Sequence, residues 1–183
     1  YELSKIKCDL FVSVAYNQIF KQALLSLPAL KSINCHAGKL PFYRGRNILN
    51  WALINGEKSF GITVHYIDLG IDTGDIILQK DYRINETDDY SRLLEKCYKE
   101  CPKLTHKAVK MIYSGNVKKI KQDSIDKYGS YCRGRKEGDE IINWNNTSQN
   151  IHNFIRGISY PGPFARTYFK NKELKIIKSR IPK

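Results

Sequence analysis

Ser32-Ile33-Asn34-Cys35-His36 is a short apolar run that closes on polar groups, and it predicts the carboxyl end of a buried strand. Residues two apart on a strand point to one face, so Asn34 and His36 are expected to aim into a common crevice. In open α/β sheets that crevice, beyond the carboxyl ends of the strands, is where ligands bind. An imidazole there can accept a proton near neutral pH, and an amide can donate to an oxygen gaining negative charge. Further along, Ile71-Asp72-Thr73-Gly74-Asp75 offers carboxylates on a separate loop. Asp72 could orient the imidazole and stabilise its charged form, as the third member of a triad does. Asp75 competes for that place on composition. The constellation is equipment for acyl transfer, although a histidine at a strand end also occurs as a plain structural residue.

Around this strand, Ile33-Asn34-Cys35-His36-Ala37-Gly38-Lys39-Leu40-Pro41-Phe42-Tyr43-Arg44-Gly45 resembles the Asn-x-His…Leu-Pro…Arg-Gly signature of formyltransferases that use 10-formyltetrahydrofolate. Gly61-Ile62-Thr63-Val64-His65 and Ile71-Asp72-Thr73-Gly74-Asp75-Ile76-Ile77 match the family's next blocks in order. The resemblance spans residues 8–83, with a weaker echo at Tyr160-Pro161-Gly162-Pro163-Phe164-Ala165. Arg44-Gly45-Arg46-Asn47, Asn50-Trp51-Ala52, Asn55-Gly56-Glu57 and the Trp144 region look most like the sugar N-formyltransferases of the family, whose acceptors are nucleotide-linked amino sugars.

The resemblance implies an α/β, Rossmann-like formyltransferase core with a small carboxyl-terminal β appendage. It selects Asn34, His36 and Asp72 as the catalytic set: oxyanion donor, general base and supporting carboxylate. For the folate it points to Tyr16, Asn17, Gln18 and Ile19 and to the loop with Gly70 and Asp72, through main-chain contacts to a pterin edge. Tyr16 and Ile19 could equally pack the strand-to-helix turn. For the nucleotide diphosphate, Arg44 and Arg46 are natural partners because guanidinium forks match phosphate oxygens. They could also be surface arginines without a ligand. Tyr160 joins them on the acceptor side. The implied function is transfer of a formyl group from 10-formyltetrahydrofolate to a nucleotide-linked, dTDP-type, amino deoxysugar for surface polysaccharide such as O-antigen. Methionyl-tRNA formylation is the alternative.

Composition is consistent with this reading. A chain of 183 residues, 42% hydrophobic, can bury one core and a small appendage. The apolar runs are too short to span a bilayer and no charged-then-apolar signal segment opens the chain, so a cytoplasmic protein without a membrane partner is expected. A formal charge of +13 points to anionic partners, taken here as a phosphorylated acceptor ahead of nucleic acid. A homodimer is compatible with the sequence. Five cysteines at irregular spacing do not read as a disulfide framework. Cys97 and Cys101 fall with Leu93, Leu104 and Ala108 on one helical face, which favours burial over zinc. The chemistry calls for no metal. Met111 is the only methionine and the chain opens at Tyr1, so earlier strands of the core are expected to precede it.

Two domains are expected: residues 1–120 as the catalytic core, truncated at its start, and residues 121–183 as linker, helix and small β subdomain. Strands are predicted at residues 9–15, 32–35, 60–68, 75–84, 164–169 and 173–178. Helices are predicted at 20–27, 47–55, 88–114 (capped by Thr87 and kinked at Pro102) and 147–156. Residues 116–140 read as a basic excursion over the surface.

Overall fold

The computed structural model describes residues 5–181; the outermost ends of the two expected domains, residues 1–4 and 182–183, lie outside the described residues. The chain builds a mixed α/β, Rossmann-like unit with a small carboxyl-terminal β-hairpin. Four strands form the main sheet: β1 (Phe11–Val14), β2 (Ser32–His36), β4 (Ser59–Tyr66) and β5 (Ile76–Arg83), in the order β1-β2-β4-β5. β1 runs parallel to β2, while β4 is antiparallel to both β2 and β5. The four-residue helix α1 (Gln22–Leu25) connects β1 to β2. β1 is shorter than expected and stands at the sheet edge among the described residues. Its side chains alternate, Ser13 buried but Val12 and Val14 about half exposed.

The core explains the register. Ile33 and Cys35 of β2 join Phe60, Ile62 and Val64 of β4 on one face. Against this face packs α3 (Tyr90–Tyr113), with Leu93, Cys97, Leu104, Ala108 and Ile112 buried at helical spacing. Because side chains alternate along β2, turning Cys35 into the core turns Asn34 and His36 to the opposite face, which is free for chemistry. The Cys35 thiol lies near the Cys101 carbonyl, and its contact with Cys101 together with burial holds it protonated far above the usual thiol range. α3 runs unbroken through Pro102. Its cap is Asp89, whose carboxylate accepts from Arg92 N, and not Thr87; the helix starts two residues later because Asp88 folds back onto Asn85 N.

A second cluster of Ile142, Ile155, Ile158 and Ala165 closes the carboxyl-terminal part. It joins α4 (Ser148–Gly157) to the hairpin of β7 (Ala165–Phe169) and β8 (Lys172–Ile176). α4 lies on α2 (Ile48–Ile54), where the Asn50 amide donates to the Gly157 carbonyl at 2.7 Å. A side chain at Gly157 would meet Ile54 at 2.8 Å and Asn50 O at 3.2 Å, so the helices approach closely only with glycine there.

Residues 116–140 run mostly exposed over the surface, as their basic composition predicts, but they are tied to the core at a few points. Ile120 pairs with Ile76 at the start of β5 through two hydrogen bonds, Gln122 is buried, and β6 (Tyr131–Cys132) pairs in parallel with β3 (Arg44–Gly45). The physical reason is hydrogen-bond satisfaction: this segment supplies partners to buried groups that the main sheet leaves open.

Candidate active site

β2 delivers Asn34 and His36 to the face opposite the α3 core. The loop from Tyr66 to Ile76 brings Asp72 over them. Asp72 Oδ2 lies 3.6 Å from His36 Nδ1, and Asn34 Nδ2 lies 3.4 Å from Asp72 Oδ1. The three residues picked from the sequence therefore meet. Asp75 does not join them; its carbonyl instead accepts from Tyr66 N at 2.9 Å, closing the base of the loop.

The loop is held in a demanding shape. Asp72 adopts φ +54°, a left-handed conformation that a non-glycine residue keeps only when its surroundings impose it. Asp68 accepts from Gly70 N and from the Thr73 hydroxyl inside the loop. From outside, Gly45 N donates to Asp72 Oδ2 at 2.9 Å. A side chain at Gly74 would strike the Tyr66 carbonyl, so only glycine passes there.

His36 is 8% exposed, and its Nε2 stands 2.7 Å from the Tyr43 carbonyl. A carbonyl only accepts, so Nε2 carries a hydrogen and the neutral ring keeps its lone pair on Nδ1, facing Asp72. Tyr43 O rather than Asp72 thus orients the imidazole. Asp72, at 3.6 Å, is beyond a good hydrogen bond to the neutral ring and acts through its charge. Burial pushes the His36 pKa down, opposed by the Asp72 charge and the Tyr43 hydrogen bond, with the net result below the ordinary imidazole value. For Asp72, burial acts upward. The contact with His65, the His36 ring and the Gly45 N–H outweigh it and hold the carboxyl at about 2. At neutral pH the pair is therefore a neutral imidazole beside a carboxylate, which is a base ready to take a proton and a charge ready to support it.

A fourth member had no assigned role in the sequence. His65 pairs with Asn34 across β2 and β4, and its Nε2 lies 3.3 Å from Asn34 Nδ2 and 3.5 Å from Asp72 Oδ1. Its Nδ1 hydrogen goes to the Tyr66 carbonyl at 2.7 Å, leaving Nε2 to accept from the amide. The only sequence signal for this was its place in the Gly61–His65 block.

The expected binding residues divide. Tyr16, Asn17, Gln18 and Ile19 are exposed on the connection into α1, with the Tyr16 hydroxyl donating to Gln18. That connection leads to Gln22 and Leu25, which share a cavity of about 450 Å³ with Ile67, Asp68, Leu69 and Gly70. A second cavity of about 500 Å³ reaches Gly38 and Tyr43, the residues that crowd His36 Nε2, and extends to Asn55, Glu57 and Tyr131. Neither cavity is lined by Asn34, His36 or Asp72 themselves. Arg46 is exposed, and Tyr160 is 69% exposed after α4, outside the hydrogen bonds that join the cluster. Arg44 corrects the sequence reading. It is 5% exposed, with Nε and Nη2 donating to Gln122 Oε1 at 3.0 and 2.7 Å and its guanidinium over the Tyr131 ring, so it offers no free fork to a phosphate. Among the described residues no cluster of histidine, cysteine or carboxylate side chains could hold a metal ion.

Comparisons with known proteins bear on this geometry. A family described as formyl transferase matches residues 1–109, and one described as formyl transferase, C-terminal domain, matches residues 135–183. The chain is 38% identical over 179 residues to the bifunctional polymyxin resistance protein ArnA of Wigglesworthia glossinidia brevipalpis, covering 98% of this chain and 27% of that protein. It is 37% identical over 179 residues to methionyl-tRNA formyltransferase of Pelotomaculum thermopropionicum, covering 98% of this chain and 56% of that protein. It thus spans about half the length, or less, of these relatives. Among solved structures, the N-formyltransferase from Helicobacter canadensis in complex with folinic acid and dTDP-3-aminofucose superposes with a TM-score of 0.76 at 30% identity, covering 92% of this chain and 60% of that one.

Proposed function

The chain belongs to the formyl transferase family, and from that premise we propose that it carries the catalytic site for moving a formyl group from 10-formyltetrahydrofolate to the amine of a nucleotide-linked amino deoxysugar. The observation that carries the reading is the meeting of Asn34, His36 and Asp72 on one face of β2. His36 Nδ1 takes the proton released as the amine nitrogen attacks the formyl carbon. Asp72 supports the imidazolium that results. Asn34 has two amide hydrogens, held here in long contacts of 3.3 and 3.4 Å. One of them turns to the formyl oxygen as it gains charge, an interaction of about 3 kcal/mol in comparable sites. The nitrogen that carried the formyl group then leaves with its electron pair and takes the proton back from the His36 imidazolium.

The folate fits the cavity between α1 and Ile67–Gly70. Its volume of about 450 Å³ lies in the range of small-molecule sites. Gln22 and Leu25 line it on one side, and Gly70 and the backbone before Asp72 would meet the pterin edge. The bound folinic acid and dTDP-3-aminofucose of the Helicobacter canadensis relative support both halves of the proposal. Arg46 is the phosphate partner that stays exposed, and Tyr160 belongs to the acceptor side.

Methionyl-tRNA formylation is the second reading, favoured by the 37% identity to that enzyme and by the charge of +13. A screen of the full-length protein with 10-formyltetrahydrofolate separates the two. Formylation of dTDP-linked amino deoxysugars, with no activity on initiator methionyl-tRNA, is expected. Turnover on the tRNA with binding that collapses as salt rises would support the second reading instead.

A further inference from the structure

The support behind Asp72 comes from residues 116–140, whose composition assigns them no task. Gln122 is 3% exposed and makes four hydrogen bonds. Its Nε2 donates to Asp72 O and Gly74 O, each at 2.8 Å. Its Oε1 accepts from Arg44 Nε at 3.0 Å and Arg44 Nη2 at 2.7 Å. Both amide hydrogens and both acceptor positions of one side chain are thereby used. The reverse orientation would aim the amide oxygen at two carbonyls and its hydrogens at a guanidinium, so the assignment has one solution.

The partners give these bonds meaning. Asp72 and Gly74 bracket the top of the loop whose left-handed residue is Asp72 itself. Arg44 belongs to β3, and the next residue of β3, Gly45, donates its N–H to Asp72 Oδ2 at 2.9 Å. Gln122 is in turn fixed by Ile120, two residues earlier, which pairs with Ile76 at 2.8 and 3.0 Å. One amide therefore joins the carboxylate's own loop to the strand that donates to the carboxylate.

We propose that Gln122 is a positioning residue, which clamps the Asp72 loop by its carbonyls and, through Arg44, holds the Gly45 N–H against the same carboxylate. This rests on the reading of Asp72 as the charge beside His36. Gln122 touches neither His36 nor Asn34, so it acts through Asp72 alone. Without the two amide hydrogens the loop loses the outside hydrogen bonds to its backbone carbonyls, and the carboxylate, left with the Gly45 N–H and the long Asn34 contact, no longer stays at its place between His36 and His65.

Two variants of the full-length protein test this. Gln122→Met keeps volume and removes all four bonds; Gln122→Glu keeps an acceptor for Arg44 and removes only the two donors to the loop. Both should lower kcat about tenfold or more, the cost of a small misplacement of a reacting group, with KM for folate and amine changed less than about twofold. By NMR, the Gly45 amide proton should move upfield in both variants as its bond to Asp72 is lost. If Gln122→Met does not fold, Gln122→Glu carries the test by the same two readings. A folded variant with wild-type kcat and an unmoved Gly45 amide would overturn the proposal. If the wild-type protein formylates no amine, the Gly45 resonance still decides the role of Gln122, and the failure belongs to the functional reading alone.

Discussion

Asn34 and His65 face each other across the ladder between β2 and β4, with the Asn34 amide nitrogen 3.3 Å from His65 Nε2. Because His65 Nδ1 gives its hydrogen to Tyr66 O, the acceptor at Nε2 fixes which end of the Asn34 amide points toward the reacting oxygen. His65→Leu removes that acceptor. It should cost 1–3 kcal/mol of stability, about the penalty for an unsatisfied buried donor, and lower turnover about tenfold, less than loss of the base. Denaturant unfolding and steady-state rates on one preparation check both halves.

The pH dependence follows from the His36–Asp72 pair. Burial lowers the His36 pKa, so the acid limb of kcat/KM should fall below about 6.5, the unperturbed imidazole value. Asp72 raises that pKa by its charge. Asp72→Asn should therefore move the limb to lower pH, while the plateau falls because the imidazolium loses its support. A limb that moved to higher pH in the variant would contradict the assignment.

Stability should carry the signature of the same carboxylate. The folded pKa of Asp72 is depressed to about 2. Its contribution, roughly 2 kcal/mol, is fully present above the unfolded value near 3.9 and lost as pH falls through about 2. His36 works in the same direction at higher pH. Its lowered pKa lets the unfolded chain bind a proton that the folded chain refuses, so stability declines as pH drops below about 6.5. Unfolding free energies of wild type and Asp72→Asn between pH 2 and 7 should converge toward the acid end.

Arg44 and Arg46 should behave oppositely. Arg44→Met leaves Gln122 Oε1 buried without a donor and should destabilise the fold by about 2–4 kcal/mol, which Arg44→Lys cannot restore because one ammonium does not reproduce the two-pronged contact. Arg46→Ala, at an exposed position, should change stability by less than about 0.5 kcal/mol and raise KM for a nucleotide-linked acceptor about tenfold. Thermal melts and KM values on the two series separate a structural arginine from a phosphate-binding one.

The strand, the loop and the three residues they bring together were legible because each is a local signal. The alternation Asn34-Cys35-His36 fixes two faces of one strand, and the glycines around Asp72 mark a tight loop. Arg44 and Gln122 were not legible for a common reason. A surface arginine and a buried one look alike until their partner is known, and the partner lies 78 positions away. The basic composition of residues 116–140 described their exposed side chains and concealed the one glutamine that turns inward. His65 stood in a recognised block, but only the β2–β4 register puts its ring against Asn34. Likewise the Tyr43 carbonyl, which orients His36, carries no side-chain signature at all.

The most direct test of the account is a single-turnover measurement on the full-length protein with 10-formyltetrahydrofolate and a dTDP-linked amino deoxysugar, comparing wild type with His36→Asn at neutral pH. An acceptor ammonium is not a nucleophile, and His36 Nδ1, neutral and beside Asp72, is the group set to take the proton. The expected rate is at least about 10²-fold lower in the variant, with thermal stability shifted by no more than a few degrees. A variant that stayed folded and transferred formyl at a near wild-type rate would contradict it.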